Sequence, residues 1–319
     1  MKQRTLGNTG LKVSELSLGG GQFWSGSTVE QVCKVVDVAF SAGINYVDTA
    51  AGYGDSEKLL GRALADVYQP CIISTKLGGY PEPFDPRDPQ GLHASVKHSL
   101  ELLGRDYIDI LMIHEPDRPA QFDWWTDSQN FAGPVLEVMD ELKADGVVRF
   151  TGLGGTTAYE LAHIINTGRF DVVLTAFNHS LLWREAELAV IPAAKAQNMG
   201  IITGSPLQQG ALAQRYDEQI ARGPRWLSPP RRQQYKALYT LLDELGMSIT
   251  ELAMRFVISN PDISCVLTGA RTAQELEENL AAVAKGPLPA DLLERLDEIY
   301  EMVPFRPNEE PWGLPFTRE

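Results

Sequence analysis

A carboxylate and a phenol stand five positions apart, Asp48 and Tyr53, in the run Asp48-Thr49-Ala50-Ala51-Gly52-Tyr53-Gly54, directly after the strand-like Asn45-Tyr46-Val47. Lys76 closes a second strand-like run, Cys71-Ile72-Ile73-Ser74-Thr75, and His114 closes a third, Tyr107-Ile108-Asp109-Ile110-Leu111-Met112-Ile113. These four residue types suit proton transfer to and from an oxygen. A tyrosine with an ordinary pKa of about 10 is a reluctant acid at neutral pH, and a neighbouring ammonium eases proton release by stabilising the phenolate. Lys76 is the candidate ammonium. Asp48 is the carboxylate that would hold it charged and oriented, and His114 the group that would fix a substrate oxygen.

Groups at the ends of separate strands share one mouth when the strands run parallel and the chain returns through helices. The pattern fits that requirement. Strands are expected at 45–49, 71–76, 107–113, 149–153, 171–177, 200–204 and 264–268, and a first strand near 13–18 brings the count to eight. Helical spacing covers 28–42, 56–66, 91–103, 133–144, 158–167, 186–197, 232–245, 248–259 and 272–284. Residues 4–18 carry the turn signal Gly7-Asn8-Thr9-Gly10 and read as a hairpin that could plug the bottom of a barrel. Short apolar strands such as Val172-Val173-Leu174 suit a parallel sheet covered on both faces. A doubly wound open sheet has the same local pattern, so periodicity leaves both architectures open.

The Asp48–Gly54 loop, the strand end Thr75-Lys76, the strand ending in His114 and the late run Ser259-Asn260-Pro261-Asp262-Ile263-Ser264-Cys265-Val266-Leu267-Thr268-Gly269-Ala270 resemble, in this order, landmarks of the aldo-keto reductase family. The run Thr175-Ala176-Phe177-Asn178-His179-Ser180-Leu181-Leu182 is similar to the family's aldose dehydrogenase branch. The resemblance implies an α/β fold, a single (β/α)8 TIM barrel spanning 1–319. Residues 1–18 would be the N-terminal hairpin and first strand, long loops would rise from the C-terminal face, and residues 303–319 would form a tail over the mouth. It further implies an NAD(P)-dependent oxidoreductase that interconverts the carbonyl of an aldehyde, aldose or keto-sugar with an alcohol. The nicotinamide would supply hydride and the tetrad Asp48, Tyr53, Lys76 and His114 would handle the proton.

Cofactor contacts follow from the same resemblance. Gly21 is one. Ser205, Leu207 and Gly210 fall in a loop expected to meet the pyrophosphate with backbone amides and a hydroxyl. Gly269, Arg271, Thr272, Glu278 and Asn279 fall where the adenosine half is expected, and an Arg271 contact to a 2'-phosphate would favour NADP(H). Glu275 stands where many relatives carry Gln or Arg, which leaves NAD(H) possible. The family's Ser-Asn pair after the fifth strand is replaced by Gly152-Leu153-Gly154-Gly155-Thr156-Thr157, so Thr156 and Asn178 are expected at the nicotinamide. Trp24, Trp124 and Trp125, with Tyr53 and His114, are expected to bind the substrate, and Phe84 and His179 to line the same mouth.

Three long segments, 115–132, 205–231 and the tail after Met302, are the loops expected around that mouth. The net charge of −14 repels nucleic acid and anionic membranes and points to a small-molecule partner. Cys33, Cys71 and Cys265 lie far apart without ligand spacing, and no apolar run suggests a leader or a membrane span. A cytoplasmic protein with reduced thiols and no metal is the expectation. Two other functions share these residues. One is a barrel aldolase that forms a Schiff base at Lys76; the other is a nicotinamide-binding sensor or subunit with little turnover.

Overall fold

The computed structural model describes residues 1–24, 26–306, 310–311 and 314–316. The chain starts with an antiparallel pair, β1 (Gln3–Thr5) and β2 (Lys12–Ser14), in which Arg4 faces Val13. The turn between them presses against the barrel floor. A Cβ on Gly7, whose φ is +52°, would lie 2.2 Å from the Gly200 amide nitrogen, so this approach needs a glycine. Leu6 then enters the barrel interior and is fully buried.

Strands and helices alternate from there: β3 (Leu16–Gly19), α1 (Val29–Ser41), β4 (Tyr46–Asp48), α2 (Ser56–Leu64), β5 (Ile72–Leu77), α3 (Pro89–Leu103), β6 (Ile108–His114) and α4 (Pro134–Ala144). The second half continues with β7 (Val148–Gly155), α5 (Ala158–Ile165), β8 (Val172–Ala176), α6 (Glu185–Leu188), α7 (Val190–Ala196) and β9 (Gly200–Gly204). It ends with α8 (Asp217–Arg222), α9 (Pro229–Leu245), α10 (Ile249–Ser259), β10 (Cys265–Thr268), α11 (Ala273–Ala284) and α12 (Ala290–Glu301). Among the described residues, eight parallel strands, β3 to β10, close into a barrel in sequence order, with β10 returning to β3. This is the (β/α)8 arrangement, with the hairpin at its floor.

Alternation along each strand sorts the core into two shells. Tyr46, Ile110, Met112, Val172, Ile202 and Cys265 point inward and pack on Leu6 and Val13. Val47, Ile73, Leu111, Ile113 and Val173 point outward into the helix layer, against residues such as Val36, Leu60 and Val96. Local capping fixes where the helices begin. Thr28 and Gln31 form a reciprocal capping box on α1, and Asp88 accepts from the Gln90 and Gly91 amides ahead of Pro89 on α3.

The expected boundaries shift in a few places. The strand expected at 13–18 splits at Glu15 into β2, which pairs with β1, and β3, which pairs with β10 and β4, and Glu15 forms an ion pair with Arg4 at the split. The helix expected at 186–197 breaks at Ala189, whose φ of −131° is not helical. Segment 205–231 contains the short α8, and α12 had not been expected. Of the tail at 303–319, residues 307–309, 312–313 and 317–319 lie outside the described residues. Within it, the Glu310 carboxylate accepts from Trp183 Nε1 and Arg231 Nε at 2.7 and 2.8 Å, and Phe316 stacks on Tyr216 at 4.2 Å. No described helix is long and apolar enough to cross a membrane.

Candidate active site

Strand register places the candidate catalytic groups. Asp48 lies opposite Ser74, and both belong to the inward face of the barrel with Tyr46, as Lys76 does two residues on. His114 shares its face of β6 with Ile110 and Met112, so the imidazole also turns inward, at the upper end. The four side chains of Tyr46, Ser74, Asp48 and Lys76 form one hydrogen-bonded ladder. The Tyr46 and Ser74 hydroxyls are 2.7 Å apart, Ser74 donates to Asp48 Oδ1 at 2.6 Å, and Lys76 Nζ donates to Asp48 Oδ2 at 2.6 Å and to the Thr49 carbonyl at 2.7 Å.

This pair is deeply buried, with Asp48 3% and Lys76 2% exposed. Burial alone would drive Lys76 toward the neutral form, yet Asp48 and Tyr53 outweigh it and hold the ammonium above its ordinary value. The stem of Lys76 reaches Asp48 past β7 because Gly154 has no side chain: a Cβ there would lie 3.2 Å from Lys76 Cδ. The glycine-rich run that departs from the family pattern thus has a packing role.

Tyr53 leaves the barrel on a turn closed by its own amide, which donates to the Ala50 carbonyl at 3.0 Å. Lys76 Nζ lies 4.8 Å from the centre of its ring, and the His114 ring meets it edge-on at 5.3 Å. Burial raises the pKa of the phenol, and the Lys76 charge pulls it back only in part. The expected easing by Lys76 is therefore present, but a dry site outweighs it in the protein alone. His114 is depressed to about 3, first by burial and then by the Lys76 charge, so its imidazole is neutral at ordinary pH. Its Nδ1 has no hydrogen-bond partner among the described residues.

From this cluster a groove of about 750 Å3 runs across the barrel mouth. Asp48, Tyr53, Gly21 and Trp24 line it beside the cluster, with Trp24 59% exposed. Ser205, Leu207 and Gly210 after β9, and Gly269, Arg271, Glu278 and Asn279 after β10, line the rest. Ser205, Gln208 and Gln209 all adopt left-handed backbone, at φ of +54°, +49° and +53°. The Gln208 and Gly210 amides close this loop on itself, donating to the Ser205 and Leu207 carbonyls at 3.0 Å. Gly269 leaves space that a Cβ would fill, 3.0 Å from Gln22 Cγ.

Several expected contacts fall elsewhere. Thr272 sits outside the groove lining and caps α11 by accepting from the Glu275 amide, while Glu275 accepts from the Arg271 amide at 2.8 Å. The Arg271 guanidinium makes no hydrogen bond or ion pair among the described residues and stands exposed in the groove lining. Asn279 is buried and donates to Thr268 Oγ1 at 2.6 Å, which fixes the Thr268–Arg271 edge of the groove. Thr156 and Asn178 correct the expectation at the nicotinamide end. The Thr156 hydroxyl donates to Glu115 Oε2 and the Asn178 amide donates to the Thr156 carbonyl and to Thr175 Oγ1, so both side chains tie β6, β7 and β8 together outside the groove lining.

The aromatic wall also differs from expectation. Trp124 is 0% exposed and donates its indole N–H to the His114 carbonyl at 2.9 Å; Trp125 is buried and donates to the Pro116 carbonyl. Segment 115–132 folds both rings into the core because each indole nitrogen finds a backbone acceptor there. Phe122, which the sequence did not single out, is the aromatic from this segment that reaches the cluster, 6.3 Å from the His114 ring. Phe84 backs it at 5.3 Å. His179 turns away from the mouth toward the outside of the barrel, between α7 and α10. Among the described residues no cluster could hold a metal ion.

The groove suits an extended ligand with an anionic centre. It has a volume of about 750 Å3, Gly19, Gly21, Gly204, Gly210 and Gly269 line it, and it joins the left-handed loop after β9 to the Asp48–Tyr53 cluster. Sequence comparison matches residues 15–301 to a model described as the Aldo/keto reductase family. The chain is 32% identical over 295 residues to L-galactose dehydrogenase of Arabidopsis thaliana, an alignment that covers 88% of each protein. It is 27% identical to the NADH-specific methylglyoxal reductase of Escherichia coli, over 89% of this chain and 94% of that one. Its structure superposes on the aldo-keto reductase AKR11C1 of Bacillus halodurans in its holo form with a TM-score of 0.76, at 25% identity, covering 94% of this chain and 96% of that one.

Proposed function

The chain belongs to the aldo/keto reductase family and is an NAD(P)H-dependent oxidoreductase, and we propose that Tyr53 exchanges the proton with the oxygen of an aldose or small aldehyde. The observation that carries this reading is the buried Asp48–Lys76 pair set beside the Tyr53 ring. When bound in the groove, the nicotinamide supplies or accepts the hydride.

The chain's own groups do the rest. Lys76 stabilises negative charge on the Tyr53 oxygen as the proton leaves, and Asp48 keeps Lys76 in place through that change. Neutral His114 donates one hydrogen bond to the substrate oxygen and orients it for attack. Trp24 and Phe122 face the substrate in place of Trp124 and Trp125. An aldose and a small aldehyde both fit this reading, since a relative is named for L-galactose and another for methylglyoxal.

Cofactor preference rests on the groove lining after β10. Arg271 favours the 2'-phosphate of NADP(H), while Glu275 and Glu278 favour the neutral ribose of NAD(H); we assign NADP(H) as the preferred form and NAD(H) as accepted. Residues 1–319 act as one functional unit in this reading, and the three unpaired cysteines suit a cytoplasmic, reducing location. A Schiff-base aldolase would need a neutral Lys76. Here its ammonium is held charged and its protons go to Asp48 and Thr49.

The test is Tyr53→Phe. Steady-state turnover of aldoses and methylglyoxal should fall by about 10² to 10⁴, the usual range for loss of a general acid, with the cofactor dissociation constant unchanged. Full activity in the variant would remove Tyr53 from the reaction.

A further inference from the structure

A second cavity, of about 630 Å3, opens on the outside of the barrel between α7, α10 and α12. His179 lines its inner end. The imidazole is 1% exposed; its Nδ1 lies 3.3 Å from Glu187 Oε1 without the alignment of a hydrogen bond, and neither ring nitrogen has a hydrogen-bond partner among the described residues. A buried imidazole nitrogen left without a partner gives up its hydration and therefore calls for an explanation.

The groups around it narrow what could supply that partner. Arg184 is spent: its guanidinium donates to Asp297 and to the Leu181 and Leu296 carbonyls. Lys195 is paired with Asp262 at 2.8 Å. Each of the carboxylates of Glu187, Asp262 and Asp297 keeps unused lone pairs, and a His179 ring whose Nδ1 proton faces Glu187 offers Nε2 as an acceptor. The cavity thus presents acceptors without spare cations. An anion would meet three carboxylates and no free positive group, and an ammonium at the inner end would meet the Arg184 guanidinium stacked 4.4 Å from the Phe256 ring centre. Neutral hydroxyl groups satisfy the acceptors without either penalty. Ile191, Pro192, Phe256 and Leu293 supply the apolar wall on which the C–H face of a polyol can rest.

We propose that this cleft is a second small-molecule site, separate from the barrel mouth, that binds a neutral polyhydroxylated compound through the His179–Glu187 pair. The site does not depend on the reaction assigned to the mouth.

Sorbitol is the probe, because it has no carbonyl and carries six hydroxyl donors. The full chain, free of cofactor and labelled with nitrogen-15 in its histidine rings, is titrated while the His179 ring signals are followed; they are assigned by their loss in His179→Phe. Saturable shifts with a dissociation constant in the millimolar range are expected, weakened about tenfold in Glu187→Gln. Leu293→Trp and Pro192→Trp, both at the rim of the cleft, should block the shift while leaving the His179 signals in place. Ring signals that stay fixed up to about 100 mM sorbitol would overturn the proposal, since that covers the weakest useful affinity. A titration identical in the rim variants, or shifts at His114 alone, would do the same by placing the sorbitol elsewhere.

Discussion

The two ends of the groove are built by opposite strategies. At one end Asp48, Lys76 and His114 sit on strands, buried, Asp48 and Lys76 are already paired to each other, and Ser74 donates to Asp48. At the other, Arg271 and Glu278 are exposed and Glu275 half-buried on a loop and the first turns of α11, where the Arg271 amide-to-Glu275 bond and the Thr272 cap give the local order. The first end is preorganised by the barrel, so its electrostatics exist before any ligand arrives. The second end is set by a few solvated side chains, whose contributions are small and additive. Substitutions should therefore be costly and coupled at the strand ends and mild and separable at the loop.

Lys76→Met is the most severe way to test the contrast. It leaves the Asp48 carboxylate buried with Ser74 as its remaining donor, and should cost about 3–5 kcal/mol of stability together with nearly all turnover. A stable, inactive variant would mean that the pair serves catalysis without carrying the fold, and the contrast would shrink. His114 gives the next effect through pH. Its folded value of about 3 lies below the ordinary 6.5, so the unfolded chain binds the extra proton in that window and stability falls as the pH drops through it. The slope should reach about 1.4 kcal/mol per pH unit below pH 6 and flatten in His114→Asn, as read by denaturant unfolding at pH 5 and 7.

Trp124→Phe removes one buried hydrogen bond and some volume beneath the mouth and should cost about 1–3 kcal/mol, with the KM for aldehydes unchanged within about twofold. A KM raised several-fold at unchanged stability would return Trp124 to the substrate wall. The smallest effect belongs to the loop end. Arg271→Ala should weaken NADPH by about fivefold to tenfold and NADH by less than about twofold, and Glu275→Gln should tighten NADPH by a similar small factor. Equal losses for both cofactors in Arg271→Ala would move the 2'-phosphate contact to another residue.

The same contrast separates what was legible in the sequence from what was not. The barrel strands and the placement of Asp48, Lys76 and His114 were readable because a strand repeats every two residues: a polar residue in phase with Tyr46 or with Ile110 and Met112 must share their inward face. The order of the motifs then identified the closed barrel over an open sheet. The indole pair Trp124-Trp125 was misread because both rings look equally suited to a pocket in sequence, and only the positions of the His114 and Pro116 carbonyls drew them inside. Phe122 carried no signal beyond its residue type. Thr156 and Asn178 were assigned by analogy to positions whose hydroxyl and amide turn out to be used between strands.

The sequence by itself determined the residue types at the strand ends, their order and the alternation of strands with helices, because these follow from short-range periodicity. Tertiary structure alone decided how deeply Asp48 and Lys76 are buried, that burial outweighs Lys76 at the Tyr53 phenol, which aromatic rings reach the mouth and that His179 faces outward. Those outcomes depend on groups tens to hundreds of residues apart in the chain, and no local pattern encodes the desolvation and partners that such groups acquire when they meet.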